Sequence, residues 1–457
     1  MRPETGECML MRRYDEIKSL VRLGLPIIIG QLGVIVLSFA DTVMVGHYST
    51  DGLGAASFVN NIFNLVIVFS TGFSYGLTPV AGGAFGRGER KSVGGMLKNA
   101  LILNGAVALG LTLLMWLLYI NIHRLGQPEE LLPLMRPYYM VLLASLVPVL
   151  LFNAFRQFSE GVTDTLTPMY ILIGGNVLNI LLNWLLIYGH WGLPELGLLG
   201  AGIATLISRI LMVLVFALIF VMCRRYREYR TGFAESSVQK GQMGLLMRLG
   251  MPVGLQMGME TASFSLSTVM VGWLGTVALA AHQVMITVGQ LGFMLYYGMA
   301  AAVAVRISNF HGQGNVGAIR NTASTGFGII LFMAAAVSIV LLLAKDNIGY
   351  LFSDSDQVAV MVAQLVLPFV IYQLGDGMQC NYSNALRGIS DVKMVMLYAF
   401  IAYFVVSLPA AYIFGFIFDW GLTGIWLSFP LGLTTAGLLF RNRFNKTLRC
   451  KISKNSD

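Results

Sequence analysis

Residues 38–46 read "SFADTVMVG" and residues 266–272 read "LSTVMVG". The shared "TVMVG" returns after 226 positions, with Ser267 standing where the first copy has Asp41. The match belongs to a longer one. "LGLP" at 23–26 answers "LGMP" at 249–252, and Gly86 and Gly88 of "FGRGER" answer Gly312 and Gly314 of "HGQGNV", all at the same offset. Further on, "EGVTDTLTP" (160–168) resembles "RGISDVKMV" (387–395) at an offset of 227. The chain is a duplicated block, and the question is what kind of block.

Of the 457 residues, 56% are hydrophobic and only 11% are charged, against about 25% charged in soluble domains. Such a chain reads as a polytopic membrane protein. A span needs about 20 mostly apolar residues. Twelve segments qualify, near 23–46, 53–80, 97–120, 134–155, 166–189, 196–222, 244–273, 279–305, 321–344, 358–384, 394–417 and 420–440. The first 22 residues carry Arg2, Arg12, Arg13, Lys18 and Arg22 and no apolar core, so no cleavable signal is expected and the first segment should stay as a span.

Twelve spans put both termini on one side. On that assumption 26 of the 30 Lys and Arg residues fall on the side of the termini. Arg124, Arg136 and Lys345 fall opposite, and Arg209 lies inside the sixth segment. This positive-inside bias predicts cytoplasmic termini. It also explains the net charge of +8 without nucleic acid. Six spans per copy is an even number, so the repeat is parallel, with a pseudo-twofold axis along the membrane normal. The expected fold is therefore all-α, with twelve transmembrane helices in two six-helix lobes. The boundaries are an N-lobe at 1–222, a basic cytoplasmic linker at 223–243, a C-lobe at 244–440 and a basic tail at 441–457. Two such lobes suit transport by alternating access, although channels, flippases and a few membrane enzymes are also duplicated.

No catalytic set is visible. Cys8, Cys223, Cys380 and Cys450 are far apart, and the five histidines make no ligand pattern. "FGRGER" is not a phosphate loop, so active transport would draw on an ion gradient. The informative residues are acids inside spans, each of which costs about 2.5–3.5 kcal/mol on insertion scales. Asp41, Glu260 and Asp376 stand out. Asp41 is either an interfacial residue near Gly46 and His47 or a functional acid. In "GGNVLNILLNW", Asn176, Asn179 and Asn183 offer oxygens, and Asn179 and Asn183 share a helix face. They serve either as interhelical glue or as cation ligands. In the second copy, Gln256 and Glu260 are four apart, as are Tyr372 and Asp376. The two acids can bind a cation or share a proton, or each can be bonded locally. Phe293, in "LGFMLYYGMA", presents an aromatic face to a cation, while most of the 25 methionines read as packing. Arg209 suits an ion pair or a snorkelled position as well as a substrate role.

With "LGLP", "QLGVIVLSFADTVMVGHYSTDGLGAAS", "GMPVGLQMGMETASFS" and "QLGDGMQCNYSNALRG", the chain resembles the multidrug and toxic compound extrusion (MATE) family, in its NorM-like branch, over nearly its whole length. The resemblance implies a Na⁺- or H⁺-coupled antiporter that exports cationic or amphipathic compounds. It implies no enzyme activity and no cofactor beyond the coupling ion. The expected setting is a monomer in the bacterial inner membrane, whose partners are lipid and small organic cations. It also implies that Glu260 and Asp376 form a C-lobe cation site, a Na⁺ site if sodium is the coupling ion, with Tyr372 as third ligand. Asp41, Asn179 and Asn183 resemble an N-lobe cluster, with Thr205 as a further member. Gln256, Phe293 and Asp41 are assigned to the substrate cavity. Some family members have aspartate at the place of Asn183 and tyrosine at that of Phe293. The main rival is a flippase of lipid-linked saccharides, which usually has extra helices and a basic cavity; acidic charges inside the spans suit a cationic substrate better. A channel is the second rival.

Overall fold

The computed structural model describes the backbone of residues 6–125 and 129–456 and the side chains of residues 14–124 and 129–450. The expectations resting on Arg2, Cys8, Arg12, Arg13 and the end of the tail lie outside these. Among the described residues there are helices and turns and no strands. The long helices are α1 (Gly6–Tyr48), α2 (Thr50–Gly86, broken at Tyr75–Gly76), α3 (Arg90–Ile120), α4 (Glu129–Gly161, broken at Ser145), α5 (Leu166–Tyr188) and α6 (Leu198–Met222). They continue as α7 (Lys240–Gly272), α8 (Thr276–Gly312), α9 (Val316–Phe352), α10 (Asp356–Gly388), α11 (Val392–Ile417) and α12 (Gly421–Ser456). Eleven of the described helices are long and apolar enough to cross a membrane. The exception is α7, whose Gln256, Glu260, Thr261 and Ser263 lower its mean hydropathy. The polar residues that make α7 interesting are those that blunt its apolar signal.

The repeat is visible in the backbone. Thr163 and Ser390 correspond by the sequence offset, and both are left-handed, with φ of 66° and 65°. Gly88 and Gly314, 226 apart, repeat the pattern at 81° and 71°, and Trp191 and Asp419, one residue off the register of Thr163 and Ser390, are left-handed at 58° and 57°. A positive φ outside glycine is uncommon, so corresponding outliers mark corresponding helix ends.

The chain divides into two compact units, one of residues 29–254 and one of residues 1–28 with 255–457. Helices α1 and α7 thus each begin in one unit and end in the other. The transfer comes just after Pro26 and Pro252, the prolines of "LGLP" and "LGMP". A proline removes a backbone hydrogen bond and loosens the helix at that point.

Equivalent residues anchor the two helix starts. Glu16 accepts from Arg306 Nε (2.9 Å), Arg306 Nη2 (2.6 Å) and the Thr322 hydroxyl (2.6 Å), while Arg306 also donates to Ser19. Its counterpart by offset is Gln242, whose Oε1 accepts from Asn99 at 3.0 Å, and Asn99 Oδ1 accepts from the Gln239 backbone at 2.9 Å. The basic connector between the copies is ordered. A short helix, Arg227–Glu235, lies on α3 so closely that a methyl at Gly94 would meet the Tyr229 carbonyl at 1.9 Å and one at Gly232 the Lys91 carbonyl at 1.9 Å. Only glycine on both sides permits this approach.

Candidate cation sites

In the unit of residues 29–254, the end of α1 meets α5 and α6. Asp41 Oδ1 accepts from Asn183 Nδ2 at 2.5 Å, and the same amide donates to Asn179 Oδ1 at 3.0 Å. Asn179 Nδ2 reaches Thr205 Oγ1 at 3.3 Å, and the Thr205 hydroxyl donates to the Ala201 carbonyl. Turned over, the Asn179 amide donates to Asp41 at 3.1 Å and accepts from the Thr205 backbone N–H at 3.3 Å. Either orientation keeps all four residues in one network. Asn179 and Asn183 are fully buried, and the spacing of four residues puts them on the same face of α5. Asn176 is buried too, but its Nδ2 has no partner among protein atoms.

Arg209 donates to Ser145 Oγ at 2.6 Å and lies within electrostatic reach of Asp41. Buried Tyr138, which donates to Asn60 at 3.0 Å, lies in the same field. Nothing local in the sequence marks Tyr138, because its link to Asp41 runs through the fold.

In the other unit, α7, α10 and α11 build the second cluster. Glu260 Oε2 accepts from Gln256 at 3.3 Å and from Gln379 at 3.2 Å. Gln379 also donates to the Tyr403 hydroxyl at 2.6 Å. Tyr403 stands in Ile401–Ser407, a π-helical stretch of α11. Such stretches recur at functional sites. Gln256 is 3% exposed and serves Glu260 directly.

Asp376 is 1% exposed, and its Oδ1 meets only the Cys380 thiol, at 3.7 Å. Its Oδ2 has no partner. Tyr372 stacks on Phe369 at 5.3 Å and has Phe264 and Trp426 edge-on or tilted at 6.5 Å. It lies within electrostatic reach of both acids. Phe293 stacks on Tyr297 at 5.4 Å. Gln379 and Tyr403 were not picked out by the sequence. Gln379 had a signal, three residues after Asp376 and nearly on its face; Tyr403 had none.

Among the described residues no three His, Cys, Asp or Glu side chains come together as a metal-holding group. A cation at either cluster would need amide, hydroxyl or phenol oxygens beside the carboxylates. Both clusters offer these, and they are hard donors suited to Na⁺. Each cluster is also a carboxylate enclosed by helices, where holding a proton is the other way to avoid an uncompensated charge.

These features define a multi-pass, all-α membrane protein of duplicated six-helix build, with a carboxylate set among polar side chains in each copy. The MatE family model matches residues 26–185 and again 252–413, once in each copy, and the chain belongs to that family. Solved structures share the fold over almost the whole length. The eukaryotic MATE transporter AtDTX14 is 20% identical, with 97% of this chain and 99% of that one covered at a TM-score of 0.86. An outward-facing multidrug resistance MATE transporter of the MOP superfamily is 20% identical, with 96% and 97% covered at 0.86. The Vibrio cholerae MATE transporter VcmN in its bent form is 19% identical, with 96% and 98% covered at 0.84.

Proposed function

We propose that this protein is a cation-coupled efflux antiporter that exports cationic or amphipathic organic compounds from the cytoplasm across a bacterial inner membrane. The observation that carries this reading is the pair Glu260 and Asp376, on α7 and α10, the first half-buried and the second buried, with amide and phenol groups from the neighbouring helices around them. A cation or proton taken up there changes the charge of the site by one unit. That change lowers affinity for a cationic compound, as exchange requires: a ligand shifts an equilibrium only through differential affinity for the two states. Asp41, with Asn179, Asn183 and Thr205, forms a second protonation or cation site in the other copy. In the proposed cycle, cation entry releases the compound outside, the lobes change access, and cation release inside restores the compound site.

Efflux of a fluorescent organic cation from proteoliposomes, under an imposed Na⁺ or pH gradient, tests the reading and identifies the coupling ion. Glu260→Gln and Asp376→Asn should each reduce gradient-driven efflux at least about tenfold while protein still reaches the membrane. Efflux at the original rate in both variants would sink the assignment. Transport that ignores both gradients would remove the coupling.

A further inference from the structure

Helices α5 and α6 leave a groove of about 450 Å³ between them, within the range of about 300–1,000 Å³ typical of ligand pockets. One stripe of each helix lines it, with Ile171 and Leu178 on α5 and Met212, Val215 and Ile219 on α6. A methyl at buried Gly175 would meet Met212 Sδ at 2.6 Å, so the helices touch there. Its neighbour Gly174 is exposed, and a methyl on it would meet nothing within 4 Å. Tyr170, 65% exposed, and Leu211 and Val215, also exposed, stand at the open rim. In a membrane protein such a rim meets lipid.

The groove has the depth of one leaflet. At about 1.5 Å per residue the stretch from Ser208 to Ile219 is about 16 Å long, and half of a hydrocarbon core is about 15 Å. Ser208 lies in the middle of α6, buried with its hydroxyl unpartnered, and marks one end of the lining. The other end is basic. Thr167, in the lining, donates to Asp164 Oδ2 at 2.8 Å, and Arg225 reaches Asp164 Oδ1 at 3.1 Å. Asp164 is itself buried, whereas Arg225 and its neighbour Arg224 are exposed. A guanidinium has five N–H donors, so one carboxylate oxygen leaves most of them for an anion. We propose that this groove binds an anionic phospholipid. One acyl chain lies between α5 and α6 from Ile219 toward Ser208, and the phosphate sits on Arg225 with Arg224 beside it. Arginine is well matched to phosphate, and basic residues at a membrane surface attract anionic lipid. An apolar groove of one leaflet's depth that ends at exposed arginines fits both parts of such a molecule. None of the lining residues belongs to either carboxylate cluster, so the site stands apart from the antiport reading.

The test uses the full chain, purified in detergent. It is titrated with phosphatidylglycerol and, separately, with phosphatidylcholine of the same chains. The unfolding midpoint is followed, because a ligand of the folded state raises it with occupancy. In the wild type, half of the maximal shift should need about fivefold less phosphatidylglycerol than phosphatidylcholine. Gly174→Phe adds a ring at a position open to free space, so the midpoint without lipid should hold. Its half-saturating concentration should rise about fivefold or more for both lipids, as the chain loses apolar contact. Val177→Phe, also at an exposed position of α5 but outside the lining, should change neither value. Arg224→Gln combined with Arg225→Gln should bring phosphatidylglycerol to the phosphatidylcholine value. Wild-type lipid binding in Gly174→Phe, or an equal loss in Val177→Phe, would overturn the groove as the chain's place. An equal response of the wild type to the two lipids would overturn the anionic headgroup.

Discussion

The two copies share a backbone and differ in what their polar atoms do. Left-handed residues recur at corresponding helix ends, as at Thr163 and Ser390, and prolines 26 and 252 mark corresponding transfers between units. Yet Asp41 is bonded to an asparagine network, while Ser267, its counterpart, merely donates to the Ser263 carbonyl of its own helix. The second copy places its acids at 260 and 376, where the first has Val34 and Leu150. Its Asp376 keeps one oxygen free of any partner. Backbone geometry is set by local rules of turn and proline. Polar chemistry depends on partners from other helices, and those were free to diverge once the fold was duplicated.

The sharpest break in the equivalence is on α3 and α9. Gly94, which seats the connector helix, corresponds by offset to Arg320, which is exposed and seats nothing of the kind. Gly94→Val should therefore be the most damaging change considered, costing at least about 3 kcal/mol, since overpacking against backbone leaves no side chain free to move. Arg320→Gly should cost only about 1 kcal/mol of helix propensity. Thermal melts of the two variants in detergent make the comparison. Similar losses would show that the connector does not depend on this approach.

The next contrast sets a bonded amide against an unbonded one. Asn183→Leu strands Asp41 and Asn179 together and should cost about 2 kcal/mol, as unmet buried partners do, although bonds between membrane helices average less. Gln373, on α10, is buried with both amide atoms unpartnered, so Gln373→Leu breaks no hydrogen bond and should be neutral or stabilising. A loss at Gln373 equal to that at Asn183 would mean that the second copy's amide is bonded after all.

Much of this was legible in the sequence. Twelve segments, the repeat and the acids inside spans follow from apolar length, self-similarity and the cost of buried charge. Asn179 and Asn183 were found because helical spacing puts them on one face. Tyr138 and Tyr403 were not, because a tyrosine in an apolar helix looks like packing until another helix brings an acid to it. The early ends of α1 and α7 carried a signal in their prolines. What the sequence could not convey was that each helix start is anchored by equivalent residues, Glu16 and Gln242, bonding to different partners.

A third contrast is in pH. After the first copy, Tyr226 donates to buried Asp164 at 2.5 Å, beside the Thr167 hydroxyl at 2.8 Å. Burial, and then that hydrogen bond, push the Tyr226 phenol above its ordinary value of 10.0. A raised folded value means that the folded state holds the proton longer. The stabilisation is complete below about pH 10 and is lost as pH rises beyond it, by at most about 1.4 kcal/mol per unit. In the second copy the corresponding acid, Asp391, is held by Arg443 and Thr447, which do not titrate there. Unfolding midpoints from about pH 8 to 11 should fall at the alkaline end, and Tyr226→Phe should flatten that fall while lowering the whole curve. An unchanged alkaline fall in Tyr226→Phe would assign it to another group.

The smallest effect is at the cations of these same two acids. Arg225 reaches Asp164 Oδ1 at 3.1 Å, but its side chain is 56% exposed and the acid has Tyr226 and Thr167 besides. Arg443 grips Asp391 with two nitrogens, at 2.7 and 3.4 Å, and is 31% exposed. Exposed pairs contribute about 0–1 kcal/mol, with two-pronged arginine contacts at the upper end. Arg225→Gln should thus cost about half a kcal/mol or less, and Arg443→Gln about 1 kcal/mol. The sign of that difference matters more than its size. Both acids meet an arginine and a hydroxyl, but the first copy's acid takes two hydroxyls and an exposed single-pronged arginine, while the second's takes one hydroxyl and a two-pronged arginine, so raising the salt concentration should erase the cost of Arg443→Gln and leave that of Tyr226→Phe untouched. Equal salt sensitivity in the two variants would make the two latches electrostatically alike.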